Sequence, residues 1–280
     1  MVRTIHVDEV VPAVAELCIS ANYDLNEDTI QSLKQGMEHE ESSTGVAVLR
    51  QILDNAAIAT EERLPMCQDT GTAVFFVEVG QDVHLEGGSL YDAINEGVRQ
   101  GYKEGYLRKS ICDPFTRKNT GDNTPAIVHY DVVPGDRLKI TMAAKGGGSE
   151  NMSSVVMLKP SDGRQGLINY IVKRAAEMGP NPCPPIVIGI GIGGNFEKAA
   201  LLAKKAILRP LGEKNPDPEL AALEEEILKK TNALGIGPQG MGGRTFALGV
   251  HILKHPCHIA SMPLGVNIQC HANRHKDVVL

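Results

Sequence analysis

Ile186-Val187-Ile188-Gly189-Ile190-Gly191-Ile192-Gly193-Gly194 is the stretch on which the fold class turns. Its β-branched residues read as a strand over 186–192. The chain then passes into a helical pattern near 195–208, so strand feeds helix, as in an α/β domain. The glycines also match G-x-G-x-x-G, but a dinucleotide site needs more than the match. After Leu208 the chain runs into Arg209-Pro210-Leu211-Gly212 rather than a return strand. No acidic residue ends a strand about 20 positions on, where a ribose would be bound. The glycines are better read as letting strand and helix pack closely beside the segment around Cys183.

Working outward, residues 1–62 form a helical N-terminal part. Val10, Val14, Leu17 and Cys18 recur at helical spacing, then Ile30, Leu33 and Met37, then Val46, Leu49, Leu53 and Ala57. A strand is expected at 73–79 and a helix across 89–107, with Leu90, Ile94, Val98 and Tyr102 on one face. Residues 126–133 and 137–144 alternate like strands around a Pro134-Gly135-Asp136 turn. Residues 166–178 read as helix. Asp217 is placed to cap another helix, with Pro218 in its first turn, and Glu225/Lys229 and Glu226/Lys230 are i,i+4 pairs on its solvated face. Late strands fall at 245–253 and 264–269. No internal repeat or low-complexity tail is seen, so residues 1–280 read as one mixed α/β domain.

At 280 residues the chain can bury a sizeable core. Its formal net charge of -6 and the lack of a basic block argue against a nucleic-acid partner. No apolar run approaches the roughly 20 residues that cross a bilayer, so no membrane partner is expected. The start lacks the apolar core of a signal peptide, and a cytoplasmic protein is expected. Six cysteines in a reducing compartment favour metal or catalytic use over disulfides. Cys18, in an apolar helical pattern, reads as a small buried hydrophobe. Cys67, Cys183 and Cys270 stand apart from one another in polar or Gly/Pro-rich segments. If those three thiolates meet, they can hold a metal cluster and leave one metal corner open to a substrate oxygen.

Other segments carry polar chemistry. Cys67-Gln68-Asp69-Thr70-Gly71 sets a soft ligand, an amide, a carboxylate and a hydroxyl before a flexible glycine. Asp69 there is either a general base or the acceptor of an Asx-type turn. Lys145-Gly146-Gly147-Gly148-Ser149-Glu150-Asn151 follows a strand and lacks the Walker order. Its backbone N–H groups suit a carboxylate, or it is a plain flexible loop. The C-terminal part is dense in His251, His255, Cys257, His258, Cys270, His271 and His275. Zinc is one reading, but no C-x-x-C or H-E-x-x-H spacing supports it, and histidines at strand ends are often structural.

Taken in order, these segments resemble the iron–sulfur hydro-lyases of the class I fumarase and L(+)-tartrate dehydratase family, over almost the whole chain. Cys67-Gln68-Asp69-Thr70-Gly71, Asn181-Pro182-Cys183-Pro184-Pro185 and Gln269-Cys270-His271-Ala272 look like the three ligand segments. Leu107-Arg108, the block from Asn119 to Ala126 and the Lys145–Asn151 block resemble the substrate-facing parts. The resemblance implies an iron–sulfur hydro-lyase α-type domain and a [4Fe–4S] cluster on Cys67, Cys183 and Cys270. Its fourth iron would bind the substrate hydroxyl and carboxylate as a Lewis acid. It further implies Asp69 as the acid/base group and Gln68, Arg108, Gly147, Gly148 and His258 as contacts to a small dicarboxylate, with His258 donating a hydrogen bond. Cys112 and Cys257 receive no role.

The chain ends soon after the third cysteine, which resembles the α subunit of the two-subunit form. A separate β subunit and an α2β2-type assembly are therefore expected. The leading expectation is fumarate hydratase, interconverting (S)-malate and fumarate. L(+)-tartrate dehydratase is the alternative within the family. A zinc enzyme and a non-catalytic scaffold are the alternatives outside it.

Overall fold

The computed structural model describes residues 2–280. Strand β1 (Arg3–His6) leads into helices α1 (Val7–Tyr23), α2 (Glu27–His39) and α3 (Ser43–Glu62). Strands β2 (Thr72–Gly80) and β3 (Val83–Glu86), helix α4 (Leu90–Glu104) and strands β4 (Ile127–Val133) and β5 (Leu138–Lys145) follow. A single turn, α5 (Gly147–Glu150), precedes β6 (Ser154–Leu158), α6 (Gly163–Met178) and β7 (Ile186–Gly194). The remainder is α7 (Phe196–Ala206), α8 (Pro218–Asn232), β8 (Ala247–Cys257), β9 (Met262–Gln269) and β10 (His275–Val279). The molecule is thus mixed α/β, with a helical N-terminal region. Among the described residues no helix is long and apolar enough to cross a membrane.

These elements form two compact units that interleave in sequence. The first takes the chain up to Leu25, Asn55–Gly147 and Arg274–Leu280. Its sheet runs β10-β5-β2-β4, with β2 and β4 parallel and the other neighbours antiparallel. Val10, Val14, Leu17 and Cys18 of α1 and Ile94, Val98 and Tyr102 of α4 pack on Phe75 and Val77 of β2 and on Ile140 and Met142 of β5. That is the stripe the helical spacing marks out, and burying it supplies the main stabilisation of this half. Cys18 is fully buried, and burial pushes its thiol pKa upward, so it is an inert core side chain.

The second unit takes Asn26–Asp54 and Gly148–Asn273. Its sheet runs β6-β9-β7-β8, with β7 and β8 parallel. Helices α6 and α8 cover one core, in which Ile168, Ile171, Leu223 and Ile227 meet Ile188, Val250, Ile252 and Val266. Asp217 caps α8, accepting from the N–H groups of Glu219 and Leu220, and Lys230 pairs with Glu226 at 3.0 Å. On β7, a Cβ at Gly189 would collide with the carbonyl oxygen of Ala203, and one at Gly191 with that of Ala199. The glycines therefore let α7 lie directly on the strand.

One expectation is corrected. The strand returning from β7 does exist, but the chain first makes α7 and α8 and only then lays β8 parallel to β7, with Ile188 opposite Val250. A reading that sought the return just after Leu208 stopped too early.

Candidate active site

In the first unit, the Cys67–Gly71 loop enters β2 at the same sheet end where β5 leaves, since Thr72 pairs with Lys145. This register brings the loop to the glycine run. Asp69 is half-buried, and both of its oxygens are held: Oδ1 accepts from Gly71 N at 3.0 Å and Oδ2 from Gly147 N at 2.8 Å. The first bond is the Asx turn that the sequence left open. The second ties the carboxylate to the N–H expected to meet a substrate. Each oxygen keeps lone-pair capacity, because a carboxylate accepts about four hydrogen bonds. Gly71 has φ +74, and a Cβ there would stand 2.7 Å from the backbone of Lys145, so only glycine fits.

The loop's backbone is gripped carbonyl by carbonyl. Asn55 Nδ2 donates to Met66 O at 2.8 Å, and Arg274 donates to Asp69 O at 2.7 Å and to Asn22 Oδ1 at 3.0 Å. Tyr102 Oη donates to Thr70 O at 2.8 Å and Gly71 O at 3.2 Å, and Asn123 Nδ2 also reaches Gly71 O. Thr70 Oγ1 in turn donates to Arg108 O, which fixes the start of the Arg108 segment against the loop. Tyr102, Asn123 and Arg274 are buried, and burial raises the Tyr102 phenol well above its ordinary pKa, keeping it a donor. Cys67 is half-buried, while Gln68 and Arg108 are exposed, so their side chains stay available to a ligand.

In the second unit, Cys183 sits in the Asn181–Pro185 turn with φ +56 and is exposed. Its carbonyl accepts from His271 N at 3.3 Å, and His271 Nδ1 lies 3.0 Å from the same oxygen. The Cys270–His271 turn is thereby pinned to the Cys183 turn. Gln239 fastens the neighbouring Pro184 carbonyl through its backbone N at 2.8 Å and its Nε2 at 2.7 Å. Two of the three cysteines expected to share a cluster are thus backbone neighbours. Gly148 adjoins this turn, since a Cβ on it would meet Asn181 O at 3.5 Å.

His258 lies in the exposed turn between β8 and β9, where Ala260 N donates to its Nδ1 at 3.1 Å. In the neutral ring the proton then sits on Nε2, as a hydrogen-bond donor requires. Cys257, the last residue of β8, directs its thiol to Ser261 O.

The other histidines of the C-terminal part are used structurally where their partners are seen. His251 is buried, its pKa pushed down to about 4 by burial first and then by Arg209, and its Nδ1 lies 3.2 Å from Ala206 O. His255 Nδ1 lies 2.7 Å from Pro256 O. Among the described residues no three His, Cys, Asp or Glu side chains gather closely enough to hold a single metal ion. Taken one by one, Cys67, Cys183 and Cys270 are the type of donor that an iron–sulfur group takes. They are soft donors, at least partly accessible and carried on anchored turns, unlike the buried Cys18.

The sequence reading missed Asn22, Asn55, Arg274 and Gln239, and it took Tyr102 only as a core side chain. The pattern of Asn119–Ala126 held a signal, since Asn123 proves to brace the loop rather than face outward. A sequence model of the fumarate hydratase (Fumerase) family matches residues 11–279. A Methanocaldococcus jannaschii protein named "Putative L(+)-tartrate dehydratase subunit alpha" is 43% identical over 267 residues, covering 93% of this chain and 94% of that one. The L(+)-tartrate dehydratase subunit alpha of Escherichia coli K12 is 34% identical over 272 residues, covering 96% and 89%.

Proposed function

Because the chain belongs to the fumarate hydratase (Fumerase) family, we propose that it is the α subunit of a hydro-lyase that removes water from a four-carbon hydroxydicarboxylate. L(+)-tartrate is the first substrate in this reading, on the strength of the names its relatives carry. (S)-malate is the second, on the strength of the family's own name. The observation in this chain that carries the proposal is Asp69, a carboxylate fixed through both oxygens on the loop that also bears Cys67.

Cys67, Cys183 and Cys270 would hold a [4Fe–4S] cluster, which when bound supplies Lewis-acid polarisation of the substrate's hydroxyl oxygen. Asp69 takes the proton from the carbon next to the departing hydroxyl, using lone pairs that Gly71 and Gly147 leave open. Arg108 clamps a substrate carboxylate with its forked donors. With Gly147 turned to Asp69, Gly148 and Gln68 are the remaining donors for the second carboxylate, and Nε2 of His258 donates to the hydroxyl or carboxylate. A separate β subunit completes the site, in keeping with relatives named as alpha subunits.

The test is anaerobic reconstitution with a β subunit, followed by steady-state kinetics on L(+)-tartrate and (S)-malate with iron and sulfide analysis. Turnover of tartrate with a cubane content of iron and sulfide is expected. Asp69→Asn should lower kcat by about 10²–10⁴ while keeping that content. Turnover of malate alone would move the assignment to fumarate hydratase. One zinc without sulfide, or an undiminished Asp69→Asn variant, would overturn the reading.

A further inference from the structure

Helix α7 lies over β7 and β9 of the second unit's sheet, and β6 is the outermost strand beside them. Between α7 and the β6 side of the sheet the chain leaves a cavity of about 400 Å³. That is at the small end of ligand pockets, which run from about 300 to 1,000 Å³. One wall is apolar, with Phe196, Ala200 and Ala203 from the helix and Val266 from β9. The alanines leave room that larger side chains would fill. Phe196 is 61% exposed, although an apolar ring gains by being covered.

The opposite wall carries a charge of each sign. Lys204 Nζ is paired with Glu150 Oε1, and Asn267 Nδ2 donates to Glu150 Oε2 at 3.2 Å. The Lys204 side chain is 18% exposed and that of Glu150 40%, so both charges are partly withdrawn from water. An ammonium carries three protons and the pair uses one, so Lys204 can donate to a second acceptor as well.

Charge and shape together select the ligand. A carboxylate by itself would gain Lys204 but crowd Glu150, and an amine by itself would gain Glu150 but crowd Lys204. A molecule with both groups on one carbon meets each with its opposite, and the four charges then alternate in sign. The rest of that molecule has to be short and apolar to cover Phe196 and the alanines. A free α-amino acid with an apolar side chain has all three parts. A peptide does not, because its two termini are held apart.

We propose that this cavity binds a free apolar α-amino acid, its carboxylate on Lys204, its ammonium on Glu150 and its side chain against Phe196 and Ala200. Lys204 and Glu150 have no part in the chemistry proposed above, and the inference does not depend on it.

The test is isothermal titration calorimetry of the full chain with L-leucine and two analogues that each lack one charge. Leucinamide has no carboxylate and isocaproate has no ammonium. L-leucine should bind at one site per chain, and each analogue at least about tenfold more weakly. Ala200→Leu, which fills the cavity from a half-buried position, should abolish binding and keep the Tm of the free chain. Lys204→Met should weaken L-leucine about tenfold and remove its advantage over leucinamide. No binding at about 10 mM L-leucine would overturn the proposal. So would an analogue that binds as tightly as L-leucine, or a Lys204→Met or Ala200→Leu variant with undiminished affinity.

Discussion

Tyr102 illustrates how one side chain serves both core and site. Its ring lies in the apolar stripe of α4, which is all that helical spacing could reveal. Its hydroxyl holds two carbonyls of the Asp69 loop. Tyr102→Phe keeps the ring and removes that donor, leaving Thr70 O and Gly71 O short of a partner at a cost of about 1–3 kcal/mol. The expected result is a lower Tm and a kcat reduced about tenfold, with iron and sulfide content unchanged. A variant whose loss lay wholly in cluster content would show that Tyr102 acts on cluster retention rather than on loop geometry. Cys67, Asp69 and Gly147 could be singled out from sequence because their residue types announce chemistry. Arg274 and Asn22 could not, because a buried arginine bonded 252 positions away leaves no local trace.

At the scale of elements, the turn between α2 and α3 depends on Glu40. Its buried carboxylate accepts from the N–H groups of Glu41 and Ser42 just before α3, and from Arg244 and Thr245 just before β8. Burial alone would raise its pKa, but the backbone donors outweigh burial and hold it below its ordinary 4.5. The sign follows from that direction: the stabilisation is complete above the unfolded value and is lost as pH falls through the folded one. Glu40→Gln should cost about 2 kcal/mol near neutral pH. Its melting curves should converge on those of the wild type as the medium is acidified below pH 4.5. A gap that stays constant with pH would rule out the charge as its source. Elements with strong local periodicity, such as α1, α4, β7 and α8, were legible in the sequence. Strands β1, β3, β6 and β10 were not, because each is short and defined by a distant partner, as His275 of β10 is by Ala143 of β5.

At the scale of the whole molecule, the interleaving of the two units was invisible in the sequence. Helix α3 runs unbroken from Ser43 to Glu62 although the units divide within it, at Asp54 and Asn55. No change of composition marks that crossing. The functional proposal gives an expectation at this scale: the chain alone should turn over tartrate and malate at least about 10²-fold more slowly than the complex with a β subunit, because part of the substrate-positioning set is missing. Comparable rates for the chain alone would refute the two-subunit reading. The clamp on Asp69 has a consequence for biosynthesis. Arg274, which grips the Asp69 carbonyl, lies 205 positions downstream. On the ribosome, the loop emerges long before its lock is made, so it cannot be held in its final shape until translation reaches that arginine.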